Sequence, residues 1–254
     1  MLSTRRAALA GGFGLLAGCN REGAGPRRFV DPLEAAVASS SRPATDRGRD
    51  AWRHPVETLR FFGLQPGRSV VEFWPGAGWW TAILAPYLAA SKGRLTAAQL
   101  DPADAPINAE LLSRYKQRFQ GERRYGRIHI STFGESSPPP AAPASVDLAL
   151  FSLTLHAWLA AGLAEKAFAD ARAVLRPGAA LGIEQHRALP GGVQDPVARN
   201  GYVQQSYVRR MAEEAGFTFD GASEINADPL DARQSPAGTG ARGTDRMTLR
   251  FRRA

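Results

Sequence analysis

The chain has 254 residues, 44% of them hydrophobic and 22% charged, which is enough apolar material for a sizeable core. Its 32 Lys and Arg against 24 Asp and Glu leave a net charge of +8. The basic residues are scattered, and none forms a run interleaved with aromatics, which argues against a nucleic-acid groove. The single cysteine, Cys19, excludes an internal disulfide, and no Cys–His set suits a structural zinc site.

Residues 1–20 read as an address. Arg5 and Arg6 form a positive start, and Ala7 to Ala17 is a short run of small apolar residues. That run is too short to cross a hydrocarbon core of about 30 Å as a helix. Leu16-Ala17-Gly18-Cys19 resembles a lipobox, so residues 1–18 are expected to be a signal peptide and Cys19 the lipidated first residue of the mature chain. A buried N-terminal helix is the competing reading, which the three glycines disfavour. Ser3-Thr4-Arg5-Arg6 looks like a twin-arginine export signal, and an ordinary secretory signal stays open beside it. The expected location is the periplasmic side of a bacterial membrane, held there by the lipid on Cys19.

Residues 19–41 read as a tether and a short helix. Asp31 is a natural N-cap, Pro32 suits the first turn, and Glu34 follows three residues after the cap. Residues 42–254 form the main domain. Asp46 to Arg53 and Pro55 to Phe62 read as two helical pieces. A strand over Ser69 to Phe73 leads through a glycine turn into a helix from about Trp79 to Ala89. Further strands fall at Arg94 to Gln99, Arg127 to Ser131, Val146 to Ser152 and Ala179 to Glu184. The helices between them cover Asn108 to Phe119 and Leu163 to Leu175, the latter closed by Pro177-Gly178. A helix over Gln204 to Ala215 precedes strands at Phe217 to Ser223 and Met247 to Arg252. Alternating strands and helices with short turns predict an α/β fold with a mainly parallel sheet covered on both faces.

Val70-Val71-Glu72-Phe73-Trp74-Pro75-Gly76-Ala77-Gly78 is the most informative stretch. A buried strand ends in a carboxylate, then a turn with two glycines opens a helix. In open α/β sheets ligands bind beyond the carboxyl ends of the strands. Gly76 and Gly78 allow close backbone approach or positive φ, and the helix start offers unpaired N–H groups to an anion. A plain strand–turn–helix explains the same residues. Asp101, just past the second strand, suits ribose hydroxyls or a simple turn. Phe133 lies in Thr132-Phe133-Gly134-Glu135, which follows the third strand or makes a plain surface turn, and Leu153 lies in the run Leu150 to His156, which forms the end of the fourth strand and its exit loop.

These residues and their order resemble the class I S-adenosylmethionine-dependent methyltransferases. More closely, they resemble a family of bacterial secreted proteins described only as predicted methyltransferases. The similarity is carried by Asp46-Arg47-Gly48-Arg49-Asp50, by Val71 to Trp79, by Leu84-Ala85-Pro86-Tyr87-Leu88 and by Leu155-His156-Ala157-Trp158. Glu184-Gln185-His186-Arg187-Ala188, Ser223-Glu224-Ile225-Asn226 and Asp245 to Phe251 extend it. The resemblance implies a Rossmann-like methyltransferase fold with a seven-stranded sheet. It implies S-adenosylmethionine at Glu72, Pro75, Gly76, Ala77, Gly78, Asp101, Phe133 and Leu153. Two departures stand out: Trp74 where the usual turn has another glycine, and a short Gly-rich link before Asp245.

Methyl transfer needs an aligned nucleophile and, for some acceptors, a base. His156 follows the fourth strand and His186 the fifth, with Glu184 two residues from His186. These three are the expected catalytic group, against a hydrogen-bonded network that merely holds loops. No Asn/Asp-Pro-Pro-aromatic motif is present, which disfavours nucleic-acid N-methylation. The leading expectation is methyl transfer to a small or lipophilic acceptor. Its alternatives are an exported ligand-binding protein without turnover, and a hydrolase-like or metal-dependent use of His156, Glu184 and His186. Export favours the binding alternative, because S-adenosylmethionine is made in the cytoplasm. Nothing in the sequence fixes an oligomeric state.

Overall fold

The computed structural model describes residues 31–233, 235–237 and 243–254, so Cys19 and the expected signal lie outside the described residues. The compact unit starts at Asp31. Helix α1 (Pro32–Ala38) is capped as expected, with the Asp31 carboxylate accepting from the Leu33 amide at 2.7 Å. It buries Leu33 and Ala36 in the domain core, so it belongs to the domain and not to the tether. Short helices α2 (Ala44–Arg47) and α3 (Asp50–Arg53) follow, then α4 (Pro55–Phe61).

The alternation predicted from sequence follows: β1 (Ser69–Phe73), α5 (Thr81–Ala90), β2 (Arg94–Leu100), α6 (Pro106–Phe119), β3 (Ile128–Phe133) and β4 (Val146–Ser152). Next come α7 (Leu155–Ala161), α8 (Ala164–Val174), β5 (Leu175–His186), α9 (Gln205–Glu214), β6 (Phe217–Ser223) and β7 (Arg246–Arg253). Among the described residues the sheet has seven strands in the order β3-β2-β1-β4-β5-β7-β6. Every pair is parallel except those made by β7, which runs antiparallel to β5 and β6.

Side chains alternate across the sheet. Val71, Phe73 and Ala98 pack with α7, α8 and α9, whereas Val70, Leu95 and Ala97 pack with α1, α4, α5 and α6. Both faces are therefore buried, which is why the central strands read as apolar runs. Each fully buried Val or Phe contributes roughly 1.5–3 kcal/mol by leaving water.

Three expectations need correction. Leu155 to Ala161 is helical and not an exit loop. Strand β5 begins at Leu175, with its register against β4 shifting between Val146 and Leu148, so Pro177 and Gly178 lie inside an irregular strand and do not close a helix. Strand β3 continues through Phe133.

Candidate functional site: the carboxyl edge of β1, β4 and β5

The β1–α5 turn is built from left-handed residues. Trp74, Gly76 and Gly78 have φ of +47°, +55° and +80°. The two glycines have different reasons. A Cβ on Gly78 would lie 2.3 Å from the Phe119 ring, so α6 packs directly on the backbone there. A Cβ on Gly76 would meet nothing within 4 Å, so this glycine faces open space. Trp74, Pro75 and Gly76 are half-buried and Ala77 is exposed.

Glu72 lies buried under this turn. Thr81 Oγ1 donates to its carboxylate at 2.6 Å. Because that hydroxyl has one proton, Tyr115 is the donor in the 3.1 Å contact between its hydroxyl and Thr81 Oγ1. Burial pushes the Glu72 carboxyl up to about 7, against the pull of Thr81 and of Arg53. Gln99 Nε2, on the same sheet face, is buried without a partner.

The segment before α4 lies over the turn. Trp79 donates its indole N–H to the Asp46 carbonyl at 2.9 Å, and the Arg53 guanidinium stacks 4.0 Å from the Trp79 ring centre. Arg118 on α6 joins the Asp46 carboxylate to the Ala77 carbonyl.

Asp101 follows β2, half-buried. One of its carboxylate oxygens accepts from the Ala103 amide at 2.9 Å, forming a local turn. Leu153, at φ +58°, gives its amide to the Glu184 carbonyl at 2.8 Å and borders the same edge. Phe133 does not join them. Its ring is fully buried edge-on to Phe73 and Trp158, with centroids 5.6 and 5.3 Å away, so it is core and cannot stack on a ligand.

At the ends of β4 and β5 the structure brings His156, His186 and Glu184 into one neighbourhood but gives them different work. Glu184 accepts from Arg246 at 2.6 Å, Ser152 Oγ at 2.7 Å and Arg53 at 3.1 Å. Burial alone would raise its carboxyl, and the two guanidiniums overcome that and hold it down at about 2. A carboxylate so committed is not a base, which corrects the expectation from sequence. Ser152 Oγ also receives the Trp80 indole N–H at 2.8 Å. The His156 and His186 rings stand 5.6 Å apart. Burial, with His156 and Arg246 nearby, depresses His186 to about 4, and burial lowers His156 too. Both are neutral at pH 7. Among the described residues no group of three or more His, Cys, Asp or Glu is arranged to hold a metal ion.

Arg53, Arg246, Ser152 and Gln185 are not singled out by the sequence. One signal exists: a glutamate inside the apolar run Leu181-Gly182-Ile183-Glu184 demands buried cationic partners. Nothing local says which of the many arginines supply them.

No protein-family model and no curated protein matches the chain by sequence. Solved structures do match. A SAM-dependent methyltransferase from Aquifex aeolicus aligns over 89% of this chain and all (100%) of its own, with a TM-score of 0.60 at 17% identity. One from Methanosarcina mazei covers 77% of this chain and 96% of its own, at 0.54 and 13%. The cyclase SpnF covers 87% and 92%, at 0.53 and 16%. At such identities the likeness speaks for architecture: with its strand order and antiparallel β7, the chain has the Rossmann-like fold of the class I SAM-dependent methyltransferases.

Proposed function

We propose that the chain is a class I methyltransferase that binds S-adenosylmethionine beyond β1 and transfers its methyl group to a small or lipophilic acceptor beyond β4 and β5. One observation carries this reading: Gly76 has left-handed backbone and opens on free space, where Gly78 has left-handed backbone and is packed. The polar groups present fit the cofactor. The turn from Pro75 to Gly78 would hold its amino-acid end over Glu72, and Asp101 would meet the ribose. Leu153 would border the transferred group, and the orphaned Gln99 Nε2 offers a donor. When bound, the cofactor supplies an electrophilic methyl group on a sulfonium. This chain's own part is to position, to exclude water behind Trp79 and Trp80, and to keep His186 unprotonated. His186, whose Nδ1 is bonded to Thr244 Oγ1 at 2.5 Å, and not Glu184, is the group that would take a proton.

Calorimetry of the purified chain with S-adenosylmethionine tests the reading. Binding in the micromolar to millimolar range is expected, and its loss in Gly76→Leu. Absence of binding at millimolar cofactor sinks the methyltransferase reading and leaves the fold intact.

A second reading, ligand binding without turnover, is favoured by the commitment of Glu184 to two arginines. It predicts binding without S-adenosylhomocysteine formation across candidate acceptors. We further propose that residues 1–18 direct export and that Cys19 carries a lipid. Cys19→Ala should move the protein from the membrane fraction to the soluble fraction.

A further inference from the structure

The amide of Gln185 settles a question the two histidines leave open. Gln185 is fully buried on β5. Its Nε2 lies 3.0 Å from the Gly201 carbonyl and 3.2 Å from His156 Nδ1. A carbonyl oxygen only accepts, so the amide nitrogen must face Gly201, and the flipped amide would set two acceptors against each other. The same nitrogen faces His156 Nδ1. Its second proton therefore goes to that ring nitrogen, which must be a lone pair. A neutral imidazole has one N–H, so the proton of His156 is on Nε2. That atom has no hydrogen-bond partner among the described residues, and His156 is half-buried.

The surroundings add a second element. Next to His186, whose ring stands 5.6 Å from that of His156, two buried guanidiniums, Arg53 and Arg246, share one carboxylate, Glu184. The Nε atoms of both arginines are buried without partners. An uncompensated buried cation is costly, and an anion nearby offsets it.

We propose that Gln185 is a positioning residue that fixes His156 as the Nε2–H tautomer, so that His156 meets the methyl acceptor as a hydrogen-bond donor, and that the acceptor carries a carboxylate. This deepens the proposed function and rests on reading the β4–β5 edge as the acceptor site. The two histidines then divide the work. His156 donates to the acceptor's oxygen, and His186 supplies a lone pair.

The test is nitrogen-15 NMR of the full chain labelled at its four histidines. His156 is expected to show the Nε2–H pattern without any cofactor. Gln185→Glu, whose carboxylate only accepts, should move the proton to Nδ1, and Gln185→Leu should give a mixture. Sodium benzoate should shift the His156 Nε2 resonance, and benzylammonium chloride should not. An Nδ1–H pattern in the unaltered chain overturns the tautomer assignment even if neither variant folds. A resonance unmoved by benzoate overturns the carboxylate acceptor. Neither result depends on S-adenosylmethionine, so failure here and failure of cofactor binding are told apart.

Discussion

Glu72 and Glu184 occupy the same face of one sheet, two strands apart, and both are fully buried. Their environments drive them in opposite directions. Under the glycine turn, Glu72 has a threonine hydroxyl and a distant guanidinium, and burial wins, taking it to about 7. At the end of β5, Glu184 has two guanidiniums and a serine, and charge wins, taking it to about 2. Burial has the same sign at both sites, so the number of cations in contact decides. One region is a socket that charges only near neutral pH. The other is a charged knot that ties α3, β4, β5 and β7 together.

The largest effect is expected from breaking the knot. Glu184→Gln removes the carboxylate between Arg53 and Arg246 and leaves two buried cations facing each other. Loss of one partner of a buried ion pair costs roughly 3–5 kcal/mol, read as a lower midpoint in urea unfolding. The sign with pH is fixed by the depressed carboxyl. Its stabilisation is present above the unfolded value of 4.5 and is lost as pH falls toward about 2. A variant as stable as the parent at pH 7 would refute the knot.

Glu72→Gln probes the opposite case. Here the folded carboxyl is raised from 4.5 to about 7, so its contribution is full below 4.5 and is lost as pH rises through 7. The parent should therefore lose on the order of 3 kcal/mol between pH 4.5 and pH 8 through this group, and Glu72→Gln should not. Thermal unfolding across that range compares them. Equal slopes would mean that Glu72 is charged and paired in the folded chain.

The two regions also differ in how far the sequence reveals them. The turn is legible because its demands are local: β1, two glycines and α5 are contiguous, and apolar runs punctuated by Gly and Pro mark the element order. The knot is not legible. Glu184 meets Arg53 across 131 residues and Arg246 across 62, and an arginine-rich chain offers no way to choose partners from spacing. Helix α7 escapes a reading by pattern because its N-cap residue, Thr154, makes no side-chain cap bond, and a short apolar run beside a strand looks like its continuation. Phe133 is misplaced by position along its strand alone, whereas which way its ring packs is decided by Phe73 and Trp158.

Within the turn, the two glycines give a graded test. Gly78→Ala places a methyl against the Phe119 ring as well as holding alanine at φ +80°, and should cost roughly 2–4 kcal/mol. Gly76→Ala carries the backbone strain alone, about 1 kcal/mol. Denaturation should separate them in that order. Equal costs would mean that Gly76 also faces packed atoms, and the observation on which cofactor binding rests would fall.

Trp74 should give the smallest change in stability and the clearest one in binding. It holds a bulky side chain at φ +47°, which costs about 1 kcal/mol relative to glycine. Its ring packs on the core from a half-buried position, which returns a similar amount. Trp74→Gly removes both, so unfolding should move by less than about 1 kcal/mol. The indole is then gone from the turn, which gains the third glycine that the resemblance implies. Affinity for S-adenosylmethionine should then rise by up to about tenfold, which corresponds to about 1.4 kcal/mol. Weaker binding would show that the indole is itself part of the cofactor site, stacked on the ligand and not obstructing it.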